Sequence, residues 1–197
     1  MNNICRHIKK SEMIRRTLVA VFALGLTGCA VFAPWTQLKA QEYRDTARGF
    51  KTSVPIGWMR FNMVNFFLMT KDGTVLDKII VERRKIDTKL EFTKKKFAKD
   101  MTAQELAEVE IDNIKTNPET GKFELLSNKP VTIAGQSAFH LEYTFTFTEG
   151  GLKIKGDHYG FVYKDWIYRV NFEAAAQHYF EKCLGDFKRF MESFELL

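Results

Sequence analysis

Residues 139–147, which read FHLEYTFTF, decide the fold class of this protein. Bulky apolar residues alternate there with polar ones: Phe139, Leu141, Tyr143, Phe145 and Phe147 against His140, Glu142, Thr144 and Thr146. Alternation with a period of two residues is typical of a β-strand that buries one face and exposes the other. We therefore predict a half-buried strand at this position.

The segments on either side of this strand also have the pattern of strands. They cover residues 123–133, 152–163 and 166–172, and the turn signals between them are Ala134-Gly135, Gly150-Gly151 and Lys164-Asp165. Gly156 interrupts one of these segments and indicates a possible bulge. Strands that follow one another through short turns predict an antiparallel sheet.

Further extended segments precede this run. They cover residues 49–54, 58–70 and 75–85. The first ends at Pro55 and Gly57, and Asp72-Gly73 between the other two is a strong hairpin signal. Basic residues are frequent over residues 83–99, either as a patch that attracts anionic surfaces or as a solvated loop and strand edge.

Two helices are predicted beside the strands. Thr102 and Glu105 have the spacing of a capping box at the start of a helix that reaches Lys115. Its apolar residues Ala103, Leu106, Ala107, Ile111 and Ile114 recur at helical spacing, as do Phe180, Cys183, Leu184, Phe187, Met191 and Phe194 near the C-terminus. Such stripes dock on sheets, so we expect an α+β fold with helices packed on an antiparallel β-sheet, closed by a short strand in residues 194–197.

The N-terminal region has the pattern of an export signal. The basic pair Arg15 and Arg16 precedes an apolar run, residues 18–26, which is shorter than the ~20 residues that a membrane-spanning helix needs. The following Leu26-Thr27-Gly28-Cys29 resembles the lipobox of bacterial lipoproteins. The resemblance implies cleavage between Gly28 and Cys29 and a lipid on the Cys29 thiol.

This interpretation divides the chain into three parts: a signal peptide in residues 1–28, a lipidated tether in residues 29–48 and a globular domain in residues 49–197. The alternatives are cleavage after Ala40 and a translation start at Met13 rather than Met1. Trp35, in the tether, either lies at the membrane interface or packs on the domain.

Localisation and charge follow from the same interpretation. Ala30 follows the lipidated cysteine, where an aspartate is the known signal for retention in the inner membrane. We therefore expect an exported lipoprotein in the outer membrane, facing the periplasm, if the bacterium has two membranes. The first 28 residues contain five basic residues and one acidic residue, so their removal lowers the net charge from +6 to +2. We predict no nucleic-acid partner.

Few residues have the pattern of a chemical site. His140, Glu142, Asp157 and His158 lie on neighbouring predicted strands and could form a zinc set, although polar strand faces collect such residues anyway. Cys183 lies on an apolar helix stripe and is expected to be buried and inert. Ser137 and Ser193 are not in a G-x-S-x-G context. We predict no catalytic residue, no metal and no cofactor.

The domain as a whole resembles the PsbP-like superfamily. The resemblance is carried by the extended segment 49–54 before Pro55-Ile56-Gly57-Trp58, the middle helix, the run of strands and the final Ser193-Phe194. It implies an α/β/α sandwich that serves binding and assembly, and the superfamily includes bacterial lipoproteins.

The predicted function is a membrane-anchored, non-enzymatic binding or assembly module of the bacterial cell envelope, with the membrane and an envelope protein as partners. The alternatives are a carrier of an apolar ligand in a pocket between sheet and helix, and an envelope enzyme with an unrecognised site. An exposed, aromatic sheet face favours the module, a deep dry cavity the carrier, and clustered polar groups with shifted pKa values the enzyme.

Overall fold

Eleven strands and two helices make up the part of the chain that the computed structural model describes, residues 33–39 and 42–197. The strands are β1 (Trp35–Gln37), β2 (Glu42–Asp45), β3 (Phe50–Ser53), β4 (Met59–Phe61), β5 (Phe67–Thr70), β6 (Asp77–Lys85), β7 (Thr120–Ile133), β8 (Gln136–Phe147), β9 (Lys153–Tyr163), β10 (Trp166–Ala175) and β11 (Glu195–Leu196). The helices are α1 (Ala103–Lys115) and α2 (Tyr179–Glu192).

The strands form two antiparallel sheets. Eight of them make a large sheet in the order β1-β4-β5-β6-β10-β9-β8-β7, and three make a small sheet in the order β11-β3-β2. The predicted turns Ala134-Gly135 and Lys164-Asp165 are two-residue connections, because Ile133 pairs with Gln136 and Tyr163 with Trp166. The predicted closing strand is β11, which pairs with β3.

One face of the large sheet is covered by α2 and the small sheet, and we call it the α2 face. Its core consists mainly of aromatic side chains, from Phe50, Phe67, Val81, Val170 and Phe172 on the strands and from Phe180, Phe187 and Phe190 on α2. Phe187 is fully buried, and its ring centroid lies 5.2 Å from that of Phe172. The predicted apolar stripe of the final helix is therefore its buried face.

The opposite side, the α1 face, has its own core. Phe139, Leu141, Tyr143 and Phe145 of β8 pack there against Leu106, Ala107 and Val109 of α1 and against Ile86, Leu90 and Phe97 of the preceding loop. The capping box of Thr102 and Glu105 is present at the start of α1. A sheet between two helical layers confirms the predicted α+β fold class.

Gly156 and Gly160 of β9 provide the space for two aromatic rings on the α1 face. A Cβ atom at Gly156 would lie 2.3 Å from the Tyr143 ring, and one at Gly160 would lie 2.3 Å from the Phe139 ring. The pairing of β9 with both neighbours continues through Gly156 without a shift in register. The predicted bulge is therefore wrong, and the glycine is explained by the close approach of a ring.

The folded domain begins earlier than residue 49. Strands β1 and β2 both lie within residues 29–48, the range predicted to be a tether. Trp35 pairs with Phe61 of β4, and the two ring centroids are 4.7 Å apart. Strand β1 is too short for its pattern to show in the sequence, since three residues give barely one alternation.

None of the helices in the described ranges is long and apolar enough to cross a membrane.

The glycines of β9 give a prediction about stability. Gly160→Ala should destabilise the fold by about 1–3 kcal/mol, because the new methyl group overlaps the buried Phe139 ring. Gly185→Ala, on the exposed side of α2, should instead stabilise it by up to about 1 kcal/mol, because alanine favours helix and its Cβ would meet only Arg189 Nη1, at an ordinary contact distance of 3.8 Å.

Denaturant unfolding of both variants measures the difference. A neutral Gly160→Ala variant would show that the Phe139 ring can move aside without cost.

Candidate functional site

Among the described residues, no helix packs on the α1 face over the strands that α1 does not reach. Helix α1 packs against β7, β8 and β9, at one end of the large sheet. At the other end, six apolar side chains on this side belong to neither core, and we call them the open face: Trp35, Met59, Phe61, Phe66, Leu68 and Ile80.

The pairing of the strands places these side chains together. Phe61 pairs with both Trp35 and Leu68, and Leu68 pairs with Ile80, so these side chains point to the same side of the sheet. Met59 lies two residues from Phe61 on β4 and is 39% exposed. The open face is thus a group of neighbouring apolar and aromatic side chains that no described helix covers; Leu68 is buried and the other five are partly or largely exposed.

A pocket of about 150 Å³ lies at the edge of the open face, over β6, β9 and β10. Its lining consists of Phe66 and Ile80 from the open face and of Glu82, His158, Arg169 and Asn171 from β6, β9 and β10. We call it the Arg169 pocket. Two of its six lining side chains are apolar and four are polar, and small-molecule sites likewise combine apolar lining with polar groups that orient the ligand.

Arg169 forms the centre of the polar half. Its guanidinium donates to Glu82 Oε2 at 2.6 Å and to Glu110 Oε1 of α1, and Glu82 also accepts from Arg84 Nε at 2.6 Å. Burial disfavours a charged guanidinium, but the carboxylates of Glu110 and Glu82 outweigh this effect and raise the pKa of Arg169. The ion pairs therefore connect α1 to the middle of the sheet through one permanently charged side chain.

Several buried polar atoms next to Arg169 have no hydrogen-bond partner within the described ranges. They are both ring nitrogens of His158, Glu110 Oε2 and Arg169 Nε. His158 is 1% exposed, and its Nδ1 lies 3.8 Å from Glu110 Oε1, beyond hydrogen-bond distance. Burial lowers the pKa of His158 to about 4, although Glu110 opposes the shift, so the imidazole is neutral at pH 7.

A second network of polar side chains lies on the α1 face, and its members are paired with one another. Tyr143 donates its hydroxyl to Glu173 Oε1 at 2.9 Å, Asn171 donates to the same oxygen at 3.0 Å, and Lys78 forms an ion pair with Glu173 at 2.9 Å. Burial opposes ionisation of Glu173, but Lys78 and these hydrogen bonds lower its pKa to about 2. This network is saturated by its own members, in contrast to the groups around His158.

The set of His140, Glu142, Asp157 and His158, considered from the sequence as a possible zinc site, is not assembled. His140 Nε2 lies 2.7 Å from Asp157 Oδ1, and its ring stacks on Tyr159 at 4.2 Å. Glu142 pairs with Asp157 in register, but His158 points to the α1 face, since neighbouring residues of a strand point to opposite sides. The two histidines therefore belong to different environments.

Cys183 lies near two carboxylates that could suggest a metal, Asp72 and Asp77. Asp77, however, accepts hydrogen bonds from the backbone N–H groups of Lys71 at 2.6 Å and Asp72 at 2.9 Å, so it organises the β5–β6 turn. Cys183 is fully buried, and burial raises the pKa of its thiol to about 11. The thiol stays protonated and matches the inert residue that was predicted.

The remaining sequence candidates have structural roles or lie elsewhere. Ser193 accepts a hydrogen bond from the Ser53 backbone at 2.9 Å and joins α2 to β3. In the basic stretch, Arg83 stacks over Trp166 at 3.9 Å and Lys95 pairs with Asp112. Cys29 and Gly28 lie outside the described residues.

Sequence patterns did not indicate Arg169 and Glu110 as members of a site. Arg169 alternates with Tyr168 and Val170 along β10 and therefore points to the opposite side of the sheet. Glu110, which is fully buried, follows Leu106 and Ala107 at helical spacing and thus lies on the apolar stripe of α1. A charged residue on such a stripe is the signal that could have revealed the ion pair.

The chain matches no known protein family by sequence, and no curated protein is similar to it in sequence. Solved structures with a similar fold include the cyanobacterial PsbP protein (CyanoP) of Synechocystis sp. PCC 6803, at 16% identity and a TM-score of 0.56, covering 86% of this chain and 96% of that one. The Ran-binding protein Mog1p of Saccharomyces cerevisiae matches at 12% identity and a TM-score of 0.55, covering 82% of this chain and 96% of that one.

LpqN of Mycobacterium tuberculosis, which is involved in cell envelope biogenesis, matches at 12% identity and a TM-score of 0.53, covering 83% of this chain and 92% of that one. Likenesses at such low identity show a common fold. The PsbP-like architecture expected from the sequence is therefore confirmed.

The buried imidazole predicts a pH dependence of stability. The folded pKa of His158 is about 4 and its ordinary value is 6.5, so between these values the unfolded chain binds a proton that the folded chain does not. The free energy of unfolding has its full value above pH 6.5 and should fall by up to about 3 kcal/mol as the pH drops towards 4.

Denaturant unfolding at a series of pH values measures this loss. His158→Gln should remove most of it, while the control His178→Gln, at an exposed histidine, should retain it. Equal pH profiles for wild type and His158→Gln would contradict the prediction.

Proposed function

We propose that this protein is a membrane-anchored, non-enzymatic binding module of the bacterial cell envelope, and that the open face binds its protein partner. The observation that carries this proposal is the open face itself. Its six apolar side chains contribute to neither core of the domain, and Met59 is 39% exposed. Exposed apolar surface of this kind marks interaction sites on soluble domains.

The arrangement of the polar groups favours binding over catalysis. Among the described residues that line the Arg169 pocket there is no hydroxyl or thiol nucleophile. Arg169 is held between Glu82 and Glu110, and its charge is already balanced. PsbP, Mog1p and LpqN have the same fold, and Mog1p is a Ran-binding protein, which supports a protein partner in general.

Strand β1 supports anchoring through Cys29. Cleavage after Ala40 would remove residues 35–37 and with them the edge strand of the large sheet, whereas cleavage before Cys29 retains it. Five residues lie between Cys29 and Trp35, and the six residue-to-residue steps of an extended chain span at most about 20 Å. A lipid on Cys29 would therefore hold the domain close to the membrane surface, in the outer membrane if the cell has two.

The anchor is tested by Cys29→Ser. The variant lacks the thiol that would carry the lipid, so we expect loss of lipid-dependent membrane association, as a soluble exported protein or as an uncleaved precursor held by its signal. The measurement is membrane fractionation together with the mass of the wild-type N-terminal peptide, where an acylated Cys29 is expected. An unmodified peptide that starts at Gln41, from soluble protein, would contradict the anchor.

The binding surface is tested by Met59→Glu. A carboxylate in the open face must be desolvated when a partner covers it. The amount of partner that co-purifies with the variant should therefore be at least ten-fold lower than with wild type. The matched control is Val75→Glu, which makes the same change at a side chain that is 65% exposed in the β5–β6 connection, outside the open face.

Each protein is purified from detergent-solubilised membranes, and the co-purified proteins are quantified by mass spectrometry. Thermal unfolding establishes that both variants remain folded. Equal recovery of the same partner by the two variants would place the binding surface elsewhere.

A further inference from the structure

We propose that the Arg169 pocket binds a small, uncharged ligand that carries a hydroxyl group on a compact apolar body. This site is distinct from the protein-binding role of the open face, although the two share Phe66 and Ile80. The proposal rests on the size of the pocket, its two kinds of wall and the buried polar atoms that lack partners.

The size of the pocket limits the ligand to about one ring. Its volume is about 150 Å³, and an apolar protein cavity of that volume accommodates a molecule of the size of benzene. Phe66 and Ile80 form the apolar wall, and both are half-buried. A single ring or a short branched chain fills this space, whereas a fatty acyl chain does not.

The polar wall selects a hydroxyl group. Neutral His158, which lines the pocket, presents one ring donor and one ring acceptor, both without partners in the described ranges. A hydroxyl group donates one hydrogen bond and accepts another, so it can pair with a ring nitrogen of His158 whether that nitrogen is the donor or the acceptor. Buried polar atoms that remain unpaired cost stability, which a ligand of this kind would recover.

The charges around the pocket favour a neutral ligand. Arg169 and Arg84 balance Glu82 and Glu110, and Lys78 balances Glu173. An anion would meet carboxylates whose neighbouring cations are already engaged. A cation would lose its hydration without gaining an unpaired carboxylate, because Glu110 keeps its ion pair with Arg169.

The test uses two probes that differ only in the hydroxyl group, 4-methylphenol and toluene. Each is titrated into the full-length protein in detergent, and the methyl signals of Ile80 are followed by NMR. We expect a saturable change with 4-methylphenol, at an apparent affinity at least ten-fold higher than for toluene. Both probes partition into micelles, so the comparison of protein variants in the same detergent is decisive.

His158→Phe should remove this preference for the hydroxyl probe, while His140→Phe, on the α2 face, should retain it. Phe66→Ala removes part of the apolar wall at a half-buried position, where the change puts folding less at risk. It should lower the affinity for both probes to a similar extent. The proposal is overturned if neither probe gives a saturable change, or if the hydroxyl preference is the same in wild type and His158→Phe; the polar groups would then be paired by water alone. Neither result bears on Cys29 or Met59, so the proposed function is tested separately.

Discussion

The ion pairs of Arg169 set the position of α1, and much of the rest of the structure follows from that position. Glu110 belongs to α1 and is fully buried, and a buried carboxylate is tolerated only with a charged partner. Arg169, on a central strand, provides that partner and binds Glu82 as well. The helix is thereby held over β7, β8 and β9, since its carboxylate must stay within reach of one guanidinium.

This position makes the two sides of the large sheet unequal. On the α2 face, α2 and the small sheet together cover the sheet with interlocking aromatic rings. On the α1 face, one helix and one loop of the described residues pack on the strands near β8, and the apolar side chains at the other end belong to neither core. The open face and the Arg169 pocket both follow from the position of α1. The open face lies over strands that α1 does not contact, and the pocket lies beside the ion pair that joins α1 to Arg169.

Local sequence patterns predicted the elements well because each depends on a period within a few residues. The alternation in β8, the capping box at Thr102 and the stripe of α2 all lie where they were expected. The zinc set that was considered but not predicted is kept apart by strand geometry. Asp157 and His158 are adjacent in β9 and must point to opposite faces, so only Asp157 can join His140. The bulge predicted at Gly156 was wrong because the glycine is required by an aromatic ring on another strand.

The sequence by itself determined the fold class, the two amphipathic helices and the inert Cys183, since periodicity and composition are properties of the chain alone. Only the tertiary structure decided which side of each strand is covered, because that depends on where a helix docks rather than on the strand. It brought Arg169, Glu82, Glu110 and His158 together from β10, β6, α1 and β9, over separations that no local pattern spans. It also assigned Trp35 to a sheet edge, because a strand of three residues is recognisable only by the partner with which it pairs.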